Sequence, residues 1–347
     1  MICMKTSKTK ITSSVVLIIC VIHLLEFLLF EHEVDGWNRN SVRNISYYFT
    51  ENLAEVIPKH FCKSNIKLLI IVTSAVSNVN ERQAIRETWG SEKTVLGQDI
   101  SILFFLGNSL NPSVQDAVLA ESYQYDDIIQ EKFIDSYYNL TLKSALAMKL
   151  IAHNCIGKAE YLLKIDDDMF LQTTKLMEII IARKTSTNVL IGKMICDANP
   201  IKDPFSKWYC PSYMFNKTYY PNFLSGTGYL MSMDVTKRLI DAAIRTPLIH
   251  LEDVYLTGIC AEKAGVFPVH DSRFTSMLLE DEPCIYKDLI TMHQFPPKRM
   301  RAAFSSLKNS SHLEKCSSYV KMFNVQQWII KNIFTPFSRS KRKRICE

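Results

Sequence analysis

Apolar positions along the chain form two alternating kinds of run. KLLIIVTSA (67–75) and ISILFFLG (100–107) are nearly continuous stretches of β-branched and aromatic residues, the pattern of strands covered on both faces. DIIQEKF (127–133), YLLKID (161–166) and VLIGKM (189–194) repeat it. Between them the period changes. LTLKSALAMKLIAHNC (140–155) and TTKLMEIIIAR (173–183) space their apolar residues at helical intervals, and ERQAIRETWG (81–90) sets Arg82 and Arg86 on one helical face. Strands alternating with helices predict an α/β sheet with parallel strands, and ligands of such sheets bind beyond the carboxyl ends of the strands.

One run is of another kind. ITSSVVLIICVIHLLEFLLF (11–30) is long enough, at ~1.5 Å rise per residue, to cross a hydrocarbon core of ~30 Å. Lys5, Lys8 and Lys10 precede it, and Glu31, Glu33 and Asp35 follow, which leaves the N-terminus cytosolic and the body lumenal. No small-x-small cleavage site follows, so an uncleaved signal-anchor is favoured over a signal peptide. The predicted organisation is a cytosolic tail (1–10), a transmembrane signal-anchor (11–30), a polar stem (31–61), a catalytic body (62–316) and a C-terminal extension (317–347). The extension carries VQQWIIKNIF and the basic end RSKRKR. It reads as a surface helix with a basic tail, with a membrane-surface or partner contact as the alternative.

Composition adds a compartment. The 347 residues, 47% hydrophobic, suffice for one large α/β domain or two small ones. The net charge of +6 gathers partly at the ends, so the middle is close to neutral and nothing demands nucleic acid. Asn44, Asn139, Asn216 and Asn309 stand in Asn-x-Ser/Thr sequons beyond the anchor, as expected of glycosylated lumenal sites. Of ten cysteines, eight lie in the body and extension, an even number that suits disulfides; no CxxC or CxxH spacing suggests zinc.

Asp166, Asp167 and Asp168 stand together at the end of an apolar run. Adjacent carboxylates repel, so the triplet is either a solvated turn or helix cap, or a site for a hard cation such as Mn2+ or Mg2+ beside a diphosphate. Extended alternation turns Asp166 and Asp168 one way and Asp167 the other. Arg82 and Arg86 suit bidentate phosphate contact, or else pair on a surface helix with neighbours such as Glu87. Gly226 and Gly228 in FLSGTGYLMS read as a bulge, a tight bend or a weak phosphate-loop signal. Glu252 and Asp253 suit a helix N-terminus or, partly desolvated side by side, general-base work. His293 in ITMHQF reads as a core histidine or a metal ligand. There is no HExxH, GxSxG or P-loop.

Taken in order, RQAIRETWG, FIDSYYNLTLKSA, YLLKIDDDMF, FLSGTGY, LEDVYLTGIC and TMHQ resemble the β1,3-galactosyltransferase family, glycosyltransferase family 31, over about residues 66–316. The resemblance implies a GT-A-like glycosyltransferase with a Rossmann-like nucleotide-binding half. It also implies a single-pass type II enzyme of the Golgi membrane that uses a UDP-sugar and Mn2+ or Mg2+. By position, Asp168 is the metal ligand with His293 nearby. Arg82, Arg86, Asp166 and Asp167 are donor-side, and Asp253 is the base. Trp208 and Tyr209 of SKWY, with Gly226, Gly228 and Glu252, fall on the substrate side. The implied reaction is inverting transfer of a hexose, galactose first, to the 3-hydroxyl of a glycan acceptor on glycoprotein or glycolipid. UDP-GlcNAc or UDP-GalNAc as donor is the alternative. An inactive lumenal sugar-binding or chaperone-like relative is the rival from another class, opposed by intact Asp168 and Asp253. A homo- or heterodimer is left open. The family's cysteine before SGTGY is Leu224 here. Eight cysteines allow 105 pairings; a local Cys196–Cys210 pair is one expectation, and Cys155–Cys260 and Cys284–Cys316 are guesses for the others.

Overall fold

In a computed structural model of the chain the described residues are 15–16, 18–19, 32–45, 54–59, 61–62, 65–277 and 283–308. The chain divides into two units, Met1–Val42 with Asn199–Thr218, and Arg43–Ala198 with Tyr219–Glu347. Among the described residues no helix is long and apolar enough to cross a membrane. Most of the 11–30 run, Asn309, Cys316 and the 317–347 extension lie outside them.

The larger unit is built on a nine-stranded sheet. Its strands are β1 (Ala54–Val56), β2 (Ile66–Thr73), β3 (Thr94–Val95), β4 (Gln98–Asn108), β5 (Ile128–Ile134), β6 (Ala159–Asp166), β8 (Leu190–Ile195), β9 (Phe223–Ser232) and β10 (Val269–His270). The short β7 (Phe170–Leu171) pairs outside this sheet with β11 (Thr291–Met292). The order is β1-β5-β4-β2-β6-β9-β8-β10, with β3 alongside β4. The five strands expected from apolar runs are all present, and β5, β4, β2 and β6 form a parallel centre. FLSGTGYLMS meets β8 with a register shift opposite Gly192 and Met194, as the bulge reading expected. It forms β9, antiparallel to both β6 and β8, so the sheet is mixed. β1 lies within the stretch read as stem and pairs with β5.

The helices are α1 (Val79–Glu87), α2 (Pro112–Tyr125), α3 (Leu140–Asn154), α4 (Thr173–Ile181), α5 (Met233–Ala243) and α6 (Pro297–Lys308). One sheet face packs Ile70, Val72, Phe104 and Ile165 against Ile85 and Trp89. Each such side chain contributes about 1.5–3 kcal/mol when fully buried. On the other face α3 and α5 pack together, α3 over β2 and β4, α5 over β6 and β9. Covering both faces is what the continuous apolar runs required.

The disulfide expectations need correction. Cys155 bonds Cys62, not Cys260, which is a buried thiol. The reason is topological: Ile66 and Ala159 are register partners on adjacent parallel strands, and each cysteine stands four residues ahead of its strand partner. Cys196 and Cys284 are disulfide-bonded. Cys210 is a buried thiol, so the expected Cys196–Cys210 bond is not formed.

In the smaller unit Ile201 and Tyr209 form an isolated bridge. Tyr209 donates its hydroxyl to the His32 carbonyl at 3.0 Å, and Tyr213 accepts from the Val34 N–H while donating to the Trp37 carbonyl.

Candidate active site

The carboxyl ends of β2 and β6 stand in register, Thr73 beside Asp166. Asp166 Oδ1 accepts from Thr73 Oγ1 at 2.7 Å and from Lys164 Nζ at 2.6 Å. Alternation then turns Asp167 inward. Its Oδ2 accepts from Ser74 Oγ at 2.7 Å and Asn78 Nδ2 at 3.0 Å. Burial pushes its carboxyl up to about 6, against those hydrogen bonds. Asp167, expected on the donor side, braces the turn after β2 through these two bonds.

Asp168 is 43% exposed and its Oδ2 lies 3.1 Å from His293 Nε2. Antiparallel pairing of β7 with β11 (Met292 beside Phe170) brings the two together from 125 residues apart. The chain beyond Asp168 is pinned on both sides: Phe295 N–H donates to the Asp168 carbonyl and Trp89 Nε1 to the Met169 carbonyl. The hydrogen bond to Asp168 outweighs burial and raises the His293 imidazole above its ordinary value. Among the described residues no cluster of three or more His, Cys, Asp or Glu could by itself hold a metal ion. Asp168 with His293 is a two-ligand, half-open oxygen–nitrogen pair.

Arg82 and Arg86, expected on the donor side, are held by protein partners. Arg82 is wholly buried with all five N–H donors engaged, on Glu121, Ser74 Oγ and the carbonyls of Ala75 and Val76. Arg86 grips Asp127 bidentately at 2.8 Å, reaches Glu121 at 2.7 Å and stacks on Tyr125. They do not pair along their own helix. Their acids come from α2 and the turn before β5.

Opposite the strand tips, Asp253 opens a π-helical segment, Val254–Cys260. Its Oδ1 accepts from Val254 N–H at 2.8 Å and its Oδ2 from Gly226 N–H at 3.3 Å. Thr257 Oγ1 clamps this turn to β9, donating to the Asp253 carbonyl and accepting from Leu224 N–H. Glu252 is buried, bonded by Tyr229 OH at 2.5 Å and facing Lys164 Nζ at 3.7 Å. Burial pushes Glu252 up to about 7, with Lys164 opposing. Burial likewise raises Asp253, against its two backbone donors. Gly226 is needed for this approach: a Cβ there would stand 2.9 Å from Glu252 Oε2, whereas one on Gly228 would meet Ile165 at an ordinary 3.4 Å.

Asp166, Glu252, Asp253 and Gly226 thus meet around Lys164, and Asp168 with His293 stands two residues beyond Asp166. Lys164 itself escaped the sequence reading. The available signal was a lysine inside a run buried on both faces. Trp208 and Tyr209 belong to the smaller unit. Trp208 is half exposed under Lys207, and Tyr209 is buried. Asn44 and Asn216 are exposed, whereas Asn139 is partly buried and donates to the Ile134 carbonyl.

The galactosyltransferase family model matches residues 80–272. β-1,3-Galactosyltransferase 1 of Mus musculus and of Homo sapiens is 38% identical over 255 residues, covering 73% of this chain and 77% of each relative. β-1,3-Galactosyltransferase 2 of Homo sapiens is 34% identical over 283 residues, covering 80% and 66%. Among solved structures, the apo bifunctional glycosyltransferase WbbM aligns with 60% of this chain and 39% of its own, at 9% identity and a TM-score of 0.34, too low to bear on the fold. With a family model that spans Arg82 to Asp253 and relatives more than a third identical over the aligned residues, the chain belongs to the galactosyltransferase family.

Proposed function

We propose that the chain is an inverting, metal-dependent β1,3-galactosyltransferase of GT-A-like fold, with a Rossmann-like donor half around β2, β4 and β6. The donor is UDP-galactose and the acceptor is the 3-hydroxyl of a sugar on glycoprotein or glycolipid. The 11–30 run anchors it as a type II protein with its body in the Golgi lumen. One observation carries the reading: a partly buried acid, Asp253, is tied through Gly226 and Lys164 to Asp166 at a strand tip.

Asp253 acts as the base. Two backbone N–H groups fix its carboxylate, and burial raises its proton affinity, which favours taking a proton from an acceptor hydroxyl. As that proton leaves, the oxygen attacks the anomeric carbon opposite the UDP leaving group, and one displacement inverts an α donor to a β linkage. Asp166 offers Oδ2 to the donor, because both of its hydrogen bonds fall on Oδ1. Asp168 and His293 fit Mn2+ as an oxygen and a nitrogen ligand at an open edge, the remaining positions suiting diphosphate and water. When bound, such an ion supplies Lewis-acid stabilisation of the charge on departing UDP. Arg82 and Arg86 brace the turn behind the donor side.

The test is a UDP-sugar panel on the full chain in detergent, with simple β-linked acceptors. UDP-galactose is expected to give the fastest transfer. Asp253→Asn is expected to keep UDP binding and lose about 10³-fold in turnover. Preference for UDP-GlcNAc or UDP-GalNAc would change the donor alone. Normal turnover by Asp253→Asn would remove the base, and no turnover with any donor would favour an inactive sugar-binding relative.

A further inference from the structure

We propose that Lys164 is a positioning residue of the transfer reaction, whose ammonium sets the spacing between Asp166 on the donor side and Asp253 on the acceptor side. The inference rests on the base and donor roles given above and deepens them.

Lys164 lies inside β6, a strand covered on both faces, and its side chain is 5% exposed. Its ammonium has three donors. One reaches Asp166 Oδ1 and another the Gly226 carbonyl, both at 2.6 Å, while Glu252 Oε2 stands at 3.7 Å. Gly226 is the pivot, since its carbonyl takes Lys164 and its N–H holds Asp253 Oδ2. Tyr229, the register partner of Lys164 across β6 and β9, holds the far oxygen of Glu252. An unbroken line of hydrogen bonds and main chain therefore runs from Thr73 through Asp166, Lys164 and Gly226 to Asp253.

Stability alone gives little reason for this arrangement. A buried ion pair replaced by well-packed apolar residues is often neutral or stabilising. What Met or Leu at 164 could not do is hold two reacting sides at one separation. Misplacement of reacting groups by about 1 Å costs on the order of 10²-fold in rate. Lys164 also faces more negative charge than it can neutralise. Asp253 has Lys164 and Asp166 on one side, Tyr229 from β9 on another and Glu252 next to it, so a single cation offsets three carboxylates. Those carboxylates outweigh burial and hold the lysine charged.

The test compares Lys164→Met and Lys164→Met/Glu252→Gln in the full chain, with Asp253→Asn alongside. The double variant removes a cation and an anion together, leaves Asp166 bonded to Thr73, and keeps the proposal testable should Lys164→Met fail to fold. Melting temperature, UDP binding, kcat, KM and the pH profile of kcat are read. The folded double variant is expected to lose about 100-fold in kcat with KM values within about threefold, its acid limb unmoved. Lys164→Met is expected to add a shift of that limb to higher pH, because the cation facing Asp253 is gone while Glu252 and Asp166 remain. A folded double variant with kcat within about threefold of the parent overturns the proposal, as does a loss confined to melting temperature. Normal turnover by Asp253→Asn sinks the underlying base assignment instead, so the two failures are told apart.

Discussion

Two buried ion networks flank the tip of β2, and they are built in opposite ways. Around α1, Arg82 and Arg86 meet Glu121 and Asp127, two cations against two carboxylates, and all four carboxylate oxygens accept from a guanidinium. Burial alone would raise Glu121, but both arginines outweigh it and hold the carboxyl below its ordinary value. This network balances its charges, and all five donors of Arg82 are engaged within the protein. Around β6, Lys164 alone meets Asp166 and Glu252, with Asp253 near, and negative charge is left over at an edge where Asp166 and Asp168 are partly exposed. A buried network that balances its charges holds a fold together. One that leaves carboxylates unmet at an open edge is suited to an incoming cation and its substrate.

Substitution at the open edge should have the largest effect on function and almost none on the fold. Asp168→Ala is expected to weaken Mn2+-dependent UDP binding by about 100-fold, read by calorimetry with and without the ion, while the melting temperature stays within about 2 °C. Equal loss of metal-free binding would mean that Asp168 touches the nucleotide itself. In the closed network the pattern should reverse. Arg82→Met leaves buried Glu121 with Arg86 alone and its Oε2 unmet, and is expected to cost about 3–5 kcal/mol of stability in denaturant titration. Turnover per folded molecule and KM for the donor should stay within about threefold. A tenfold rise in donor KM at unchanged stability would instead return Arg82 to the diphosphate.

The difference between these networks was only half legible in the sequence. Asp166 to Asp168 end an apolar run, and alternation alone separates inward Asp167 from its neighbours. The central strands were legible for the same reason, since continuous β-branched runs have little else to become. The closing partners of the arginines were not, because Glu121 and Asp127 come from other elements 35 to 41 residues away. β9 was hidden by its glycines, which weaken strand propensity. Gly226 is there because Glu252 and Asp253 crowd the strand. Cys62–Cys155 needed the β2–β6 pairing, which no local pattern reveals. His293 was found through a resemblance, since its partner Asp168 is remote in the chain.

A third buried acid shows what happens when neither kind of network forms. Glu131 on β5 is 3% exposed, and burial pushes its carboxyl up from an ordinary 4.5 to about 7, with Lys149 the opposing charge. Its neighbour Gln130, also buried, is satisfied by donating to the Gly107 carbonyl. Between about pH 4.5 and 7 the folded state keeps a proton on Glu131 that the unfolded chain has released. The contribution to stability is therefore complete below the lower value and lost as pH rises through the upper one. Across that interval the loss is about 3.5 kcal/mol, at ~1.4 kcal/mol per unit. Glu252 and Asp167 titrate in an overlapping range, so the informative quantity is the difference between the parent and Glu131→Gln in urea unfolding at several pH values. Glu131 touches neither network, which lets the contributions add. Relative to the parent, Glu131→Gln is expected to gain stability from about pH 4.5 to 7 and to level off above that. A difference that stays flat would mean that Lys149 keeps Glu131 ionised throughout, and would move it into the same class as the charge-balanced arginine network.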